Sequence, residues 1–97
     1  MWARITTFQF PVDAVDLAIQ EVHKAIDAFH GRPGLVRIDL YANRKSGAAI
    51  TISLWETAEA MRASDDAADD WRHEIALEVT GWIQQLAEYE LIRSDAP

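Results

Sequence analysis

Residues 35–55 read LVRIDLYANRKSGAAITISLW and carry the strongest fold signal in this chain. Strands are predicted from Leu35 to Tyr41 and from Ala49 to Trp55, because apolar and polar residues alternate from Val36 to Leu40 and again from Ile50 to Leu54. A period of two is typical of β-strands that bury one face. The segment between the two runs, NRKSG at 43–47, has the composition of a turn. Two alternating runs joined by a short polar turn predict a β-hairpin.

A helical region is predicted on each side of the hairpin. The first helix follows Asp13, an N-cap residue, and ends at His30-Gly31, because glycine suits the left-handed conformation that closes a helix. After the hairpin, Thr57 is predicted to cap a short helix, and Ser64 or Asp65 a second helical segment. The apolar stripe predicted for that segment comprises Trp71, Ile75, Val79, Trp82 and Ile83.

Strands are predicted at both ends of the chain. Trp2 to Phe10 is rich in β-branched and aromatic residues and ends before a proline, and Leu86 to Arg93 forms the last strand. The order β-α-β-β-α-β predicts one domain over residues 1–97 with a ferredoxin-like α+β fold. This fold has a four-stranded antiparallel sheet with its helices on one face.

The alternation also leads to a prediction for the two faces of the sheet. We expect the helices to cover the face with Val36, Ile38, Leu40, Ile50, Ile52 and Leu54. The opposite face is then expected to carry Tyr41, Thr51, Ser53 and Trp55. Because aromatic residues make that face apolar at its edges, we expect a second copy of the chain to cover it, giving a homodimer. A monomer with an open, moderately polar face is the alternative.

Composition narrows the range of partners. The formal net charge is −7 and there is no cysteine. Such a surface repels nucleic-acid phosphates and anionic lipids, so neither nucleic acid nor membrane is expected as a partner. Disulfides and thiolate metal sites are excluded, and the acids at 65–70 lack the glycine-containing loop of a calcium site, so no metal is expected. Without a signal peptide or a long apolar segment, a cytoplasmic protein is expected.

Three stretches carry a resemblance to a known family: RITTFQFP at 4–11, RPGLV at 32–36 and ISLWETAEAM at 52–61. They resemble the antibiotic biosynthesis monooxygenase-like superfamily. The resemblance implies a dimeric α+β barrel with a pocket between sheet and helices. It also implies one of two chemistries, either cofactor-independent oxygenation of a phenol or anthrone to a quinone, or binding and oxidative breakdown of haem.

The haem-degrading branch of that superfamily uses three residues. They are an asparagine on the first strand, a tryptophan on the second helix and a histidine that ligates iron. His73 matches the histidine, whereas Thr6 and Ser64 occupy the other two positions. Haem binding through His73 is therefore the third hypothesis, and no cofactor is expected.

The first hypothesis is a cofactor-independent monooxygenase that acts on a small planar aromatic substrate. Its candidate catalytic residues are His73, Thr6 and Arg4, with the histidine included because an imidazole side chain can act as a general base. The candidate ligand-binding residues are Phe8, Trp55, Trp71 and Thr7. A solvated or salt-bridged position on the helix surface is the favoured alternative for His73, and a core or interface position is the favoured alternative for the tryptophans. The second hypothesis is a non-catalytic dimeric ligand-binding or accessory domain, because no acid–base cluster is evident.

Overall fold

A computed structural model describes residues 1–96, and Pro97, the last residue of the predicted domain, lies outside the described residues. Within residues 1–96 the elements are β1 (Trp2–Gln9), a 3-10 turn (Val12–Ala14), α1 (Val15–Phe29), β2 (Leu35–Ala42), β3 (Ala48–Trp55), α2 (Ala58–Ala63), α3 (Asp65–Val79) and β4 (Trp82–Glu90). The strands form an antiparallel sheet in the order β2-β3-β1-β4. The predicted ferredoxin-like α+β fold is confirmed.

The register of the β2–β3 hairpin is fixed at its turn. The Asn43 N–H donates to the Ala48 carbonyl at 2.8 Å. Even-numbered residues of β2 consequently lie opposite odd-numbered residues of β3, with Ile38 opposite Ser53 and Leu40 opposite Thr51. Directly opposed residues share a face of an antiparallel sheet. The apolar rows of the two strands therefore lie on opposite faces.

This register corrects the predicted faces of β3. The helices cover Thr51, Ser53 and Trp55, while Ile50, Ile52 and Leu54 lie on the face without helices. The prediction was right for Ile38, Leu40 and Tyr41 and wrong for all of β3. Alternation separates the two faces of one strand, but it does not show which of them continues a given face of the neighbouring strand. Val36 is also exposed, because the β2–β3 register shifts between Leu35 and Arg37.

The helix starts agree with the sequence in part. Thr57 caps α2 as predicted, its Oγ1 accepting from the Ala60 N–H at 3.1 Å. Asp13 does not cap α1, because it lies inside the 3-10 turn that the bond from the Ala14 N–H to the Pro11 carbonyl closes at 2.9 Å.

The end of α3 was predicted wrongly. The helix stops at Val79 because Thr80 adopts a left-handed φ of 52°. Trp82 and Ile83 therefore begin β4, and the strand starts earlier than predicted. Gly81 is needed at this reversal, since a Cβ there would collide with the ring of Phe10.

The core lies between the sheet and the helices, in two groups of buried residues. One comprises Phe8, Phe10, Val15, Ala18, Val22, Ala49, Ile75 and Val79, and the other Phe29, Trp55, Met61 and Ala68. The ring of Trp71 packs against both groups and so connects them. Among the described helices, none combines the length and apolar character required to span a bilayer.

The face without helices is more apolar than the sequence suggested. The β3 residues there lie beside Ala3 and Ile5 of β1, and Tyr41 and Tyr89 are at least half exposed at its two edges. A contiguous apolar patch of this kind on an isolated chain is typical of a protein–protein contact. We propose that a second copy of the chain covers it.

We expect light scattering at micromolar concentration to give twice the 10.9 kDa mass of one chain. Ile52→Glu should raise the dimer dissociation constant by roughly tenfold or more, because it buries an unpaired charge in the proposed interface. Leu77→Glu is the matched control, since Leu77 is 84% exposed on α3. A wild-type mass near 10.9 kDa, or equal effects of the two changes, would contradict the proposal.

Candidate functional site

A small cavity of about 20 Å³ lies between the sheet and the helices, which is about the room that one water molecule needs. On the sheet, Arg4 lies opposite Ser53 and Thr6 opposite Thr51, so strand pairing alone brings these four side chains together. The complete lining is Arg4, Thr6, Ala25, Ile26, Phe29, Ile38, Thr51, Ser53, Trp71 and Arg72. The site thus combines two cations and three hydroxyl groups with aromatic and aliphatic walls.

Arg4 joins β1 to the α2–α3 junction. Only 5% exposed, it donates through Nη2 to the Met61 carbonyl at 2.6 Å and to the Ser64 hydroxyl at 3.1 Å, and it pairs with Asp65. Burial lowers the pKa of Arg4; the Asp65 carboxylate opposes this change, and the positive charge of Arg72 adds to it. Because an arginine in a protein keeps its proton, Arg4 is a fixed cation beside the cavity.

Arg72 is a second buried cation, and the sequence analysis missed it. It is 3% exposed and pairs through Nη2 with Asp69, but its Nη1 is buried without a hydrogen-bond partner among residues 1–96. A signal was present in the sequence. The buried residues of α3 are Ala68, Arg72, Ile75 and Val79, so the arginine occupies a position on the apolar stripe of its helix. Arginine is rarely buried unless it is paired.

Five of the seven predicted site residues lie at or beside the cavity. Arg4, Thr6 and Trp71 line it together. Phe8 is buried next to them, its ring centroid 6.0 Å from that of Trp71, but it forms no part of the lining. The structure therefore brings one candidate wall and two candidate polar groups into one place.

The fifth residue beside the cavity is Trp55, and the other two, Thr7 and His73, lie away from it. Trp55 is fully buried, and its indole N–H donates to the hydroxyl of Ser53, a lining residue, at 2.9 Å. Thr7 points to the face without helices. His73 lies on the exposed side of α3, because successive helical residues are turned by about 100° and the two residues before it face inward.

A larger surface hollow adjoins the cavity. It measures about 360 Å³, lies between α1 and β2, and has Ile26 and Ile38 in common with the cavity. Its rim includes His30 and Arg37. These two isoleucines therefore separate the polar cavity from a space large enough for an aromatic ring.

The lining fits anion stabilisation better than proton abstraction. In the described part of the chain, the cavity is lined by no carboxylate or imidazole group. Over the same residues, no three histidine, aspartate or glutamate side chains cluster as metal ligands would. Buried guanidinium groups and hydroxyl donors instead stabilise a negative charge on a bound oxygen atom.

Comparison with solved structures identifies the architecture. A candidate antibiotic biosynthesis monooxygenase from Deinococcus radiodurans superposes with a TM-score of 0.82 at 11% identity, over 100% of this chain and 98% of that one. This chain has the antibiotic biosynthesis monooxygenase fold. The superfamily resemblance predicted from the sequence is confirmed at the level of the fold.

Two further structures with the antibiotic biosynthesis monooxygenase fold have different functions. SnoaB from Streptomyces nogalater, a cofactor-independent oxygenase, gives a TM-score of 0.75 at 18% identity, covering 96% of this chain and 94% of that one. MhuD from Mycobacterium tuberculosis, a heme-degrader with two hemes in its active site, gives a TM-score of 0.71 at 16% identity, covering 99% of this chain and 100% of that one. At these identities the likeness shows the fold alone.

Sequence relatives exist at higher identity. Two uncharacterized Mycobacterium tuberculosis proteins, Rv2557 and Rv2558, are 35% identical over 92 residues and 37% identical over 82 residues. The alignments cover 94% and 84% of this chain but 41% and 35% of those proteins. The chain thus spans about two-fifths of the length of these curated relatives. No family model matches it.

The two buried arginines should differ in their contribution to stability. Arg4→Met removes three hydrogen bonds that tie β1 to the α2–α3 junction, and should lower the free energy of unfolding by about 2 kcal/mol. Arg72→Met removes one ion pair with a half-exposed aspartate, together with an Nη1 that has no acceptor among residues 1–96. It should change the free energy of unfolding by less than about 1 kcal/mol. Urea unfolding measures both. Equal losses would contradict the contrast.

Proposed function

We propose that this chain is a cofactor-independent monooxygenase whose small planar aromatic substrate binds at the Arg4–Arg72 cavity. The observation that carries the proposal is the lining itself. Trp71 and Phe29 offer aromatic surface, and Thr6, Thr51 and Arg4 offer donors to a substrate oxygen. A cofactor-independent oxygenase, SnoaB, has the same fold.

The reaction requires a substrate that forms a carbanion. Such an anion passes one electron to dioxygen, the two radicals combine into a C–O–O⁻ group, and that group takes up a proton. Cleavage of the O–O bond with loss of water then leaves a carbonyl. A CH₂ group and O₂ thus become C=O and H₂O, with dioxygen as the oxidant. The protein stabilises the anion, because buried cations favour the ionised form of a bound acid.

The absence of a base from the lining restricts the substrate class. Within residues 1–96 no lining group accepts a proton at neutral pH. The substrate must therefore be acidic enough to release its proton to water once the cations stabilise its anion. Anthrones and related phenols meet this requirement because their anions are delocalised over the ring system.

The position of the substrate follows from the sizes of the two spaces. The cavity of about 20 Å³ accommodates a single oxygen atom, whereas the adjoining hollow of about 360 Å³ accommodates rings. We infer that the keto or phenol oxygen enters the cavity while the ring system lies in the hollow. Rotation of Ile26 and Ile38 would join the two spaces, since these residues border both.

A non-catalytic ligand-binding domain is the second candidate function. The lack of a lining base among the described residues favours it, because binding needs no proton acceptor. The same cavity would then hold an aromatic ligand without turning it over.

Oxygen uptake with an anthrone as substrate separates the two candidates. We expect consumption above the buffer rate, and a roughly tenfold or larger loss of rate in Thr6→Val, because one donor to the developing charge is removed. Thr7→Val is the matched control, since the adjacent threonine faces away from the helices. Uptake at the buffer rate, or equal rates in both variants, would leave the oxygenase proposal without support.

Haem binding is tested separately. Because His73 is exposed and outside the cavity lining, we expect His73→Ala to leave the Soret band of added hemin as it is in the wild type. His23→Ala, which removes an exposed histidine from α1, is the control. A Soret shift that only His73→Ala abolishes would reinstate haem ligation through this residue.

A further inference from the structure

We propose that the cavity holds its ligand through an anionic oxygen bound by Arg72, so that the ligand is a small aromatic monoanion, either a carboxylate or an ionised phenol. This inference rests on the proposed function only in placing the ligand in the same cavity. It adds a specificity-determining residue and the ionisation state of the ligand.

The first argument is the unused donor of Arg72. Its Nη1 carries part of a positive charge, is buried, and has no acceptor among residues 1–96. Burying such a group without a partner is costly. Buried polar atoms in proteins are nearly always hydrogen-bonded, so this exception, on a residue that lines the cavity, indicates a partner that residues 1–96 do not supply.

The second argument is the charge distribution around the cavity. The three hydrogen bonds that Arg4 donates within residues 1–96 all start from Nη2, which leaves its other nitrogens free for a ligand. The carboxylates paired with the two arginines belong to Asp65 and Asp69, which are 45% and 55% exposed. Water screens these acids more than it screens the buried cations. The electrostatic potential inside the cavity is therefore more positive than it would be if each aspartate fully neutralised its arginine.

The third argument is size. A cavity of about 20 Å³ has room for one oxygen atom, so one oxygen of a phenolate or carboxylate can enter it, whereas a whole phosphate or sulfate ion cannot. The hydroxyls of Thr6 and Thr51 line the same space and can donate to that oxygen. The hollow beyond Ile26 and Ile38 leaves room for the attached ring. Charge and volume together favour an aromatic monoanion.

Benzoate and benzamide test the inference on the unmodified chain, because they share a shape and differ in charge. Calorimetry or thermal shift should show benzoate binding roughly tenfold more tightly or better, as expected for a hydrogen bond to a charged group. This comparison uses only the wild-type chain, so its result does not depend on whether a variant folds. Equal affinities, or no saturable binding of either compound, would overturn the inference unless the phenol arm below succeeds.

Arg72→Met and Arg44→Met locate the site. They remove the same charge, but Arg44 is exposed in the hairpin turn and pairs with Asp16. Arg72→Met should weaken benzoate binding by roughly tenfold or more and leave benzamide binding unchanged, whereas Arg44→Met should change neither. Benzoate affinity that survives in Arg72→Met would overturn the assignment to this residue.

4-Nitrophenol distinguishes the two sources of the anionic oxygen. The compound is added at a pH just below its own pKa in water. A site for ionised phenols should then convert the bound compound to its yellow anion. A site for carboxylates should leave the absorbance of 4-nitrophenol unchanged while still binding benzoate. The inference fails if neither anion binds more tightly than benzamide. If the chain consumes oxygen with an anthrone but shows no preference for anions, only this inference fails. If it prefers anions but consumes no oxygen, only the oxygenase proposal fails.

Discussion

The register of the β2–β3 hairpin determines both surfaces of the sheet. Because the turn places Ile38 opposite Ser53 and Leu40 opposite Thr51, the apolar rows of the two strands cannot share a face. One face must therefore receive the hydroxyl side chains of β3, and the other its isoleucines. The polar cavity under the helices and the apolar face without helices are two consequences of one pairing.

The polar side of this arrangement requires compensation that only the helices provide. Four polar side chains meet at the centre of the sheet, those of Arg4, Thr6, Thr51 and Ser53. Apolar side chains at the same positions would need no hydrogen-bond partners. The α2–α3 junction supplies Nη2 of Arg4 with a carbonyl, a hydroxyl and a carboxylate, whereas Nη1 of Arg72 has no acceptor among residues 1–96. A buried donor without an acceptor, on a residue that lines a cavity, is more consistent with a binding role than with a purely structural one.

The sequence predicted the fold well and the site in part, for identifiable physical reasons. Strand alternation, the Thr57 cap and the element order are local signals, and the structure confirms them. Which face of β3 meets the helices depends on cross-strand register, and the end of α3 depends on a left-handed Thr80, which sequence alone rarely indicates. Arg72 was missed because charge normally marks the exposed side of a helix, although its spacing placed it on the buried stripe.

The charge of the whole chain bears on how an anionic ligand would reach this cavity. A net charge of −7 repels anions that approach from solvent, while Arg4 and Arg72 attract them only at short range. An acid that arrives neutral avoids the repulsion and ionises beside the two arginines, because the cations lower the pKa of a bound acid. Weakly acidic phenols and anthrones satisfy both conditions. In the proposed oxygenase, the same ionisation would generate the anion that reacts with dioxygen, so binding and activation would be a single electrostatic event.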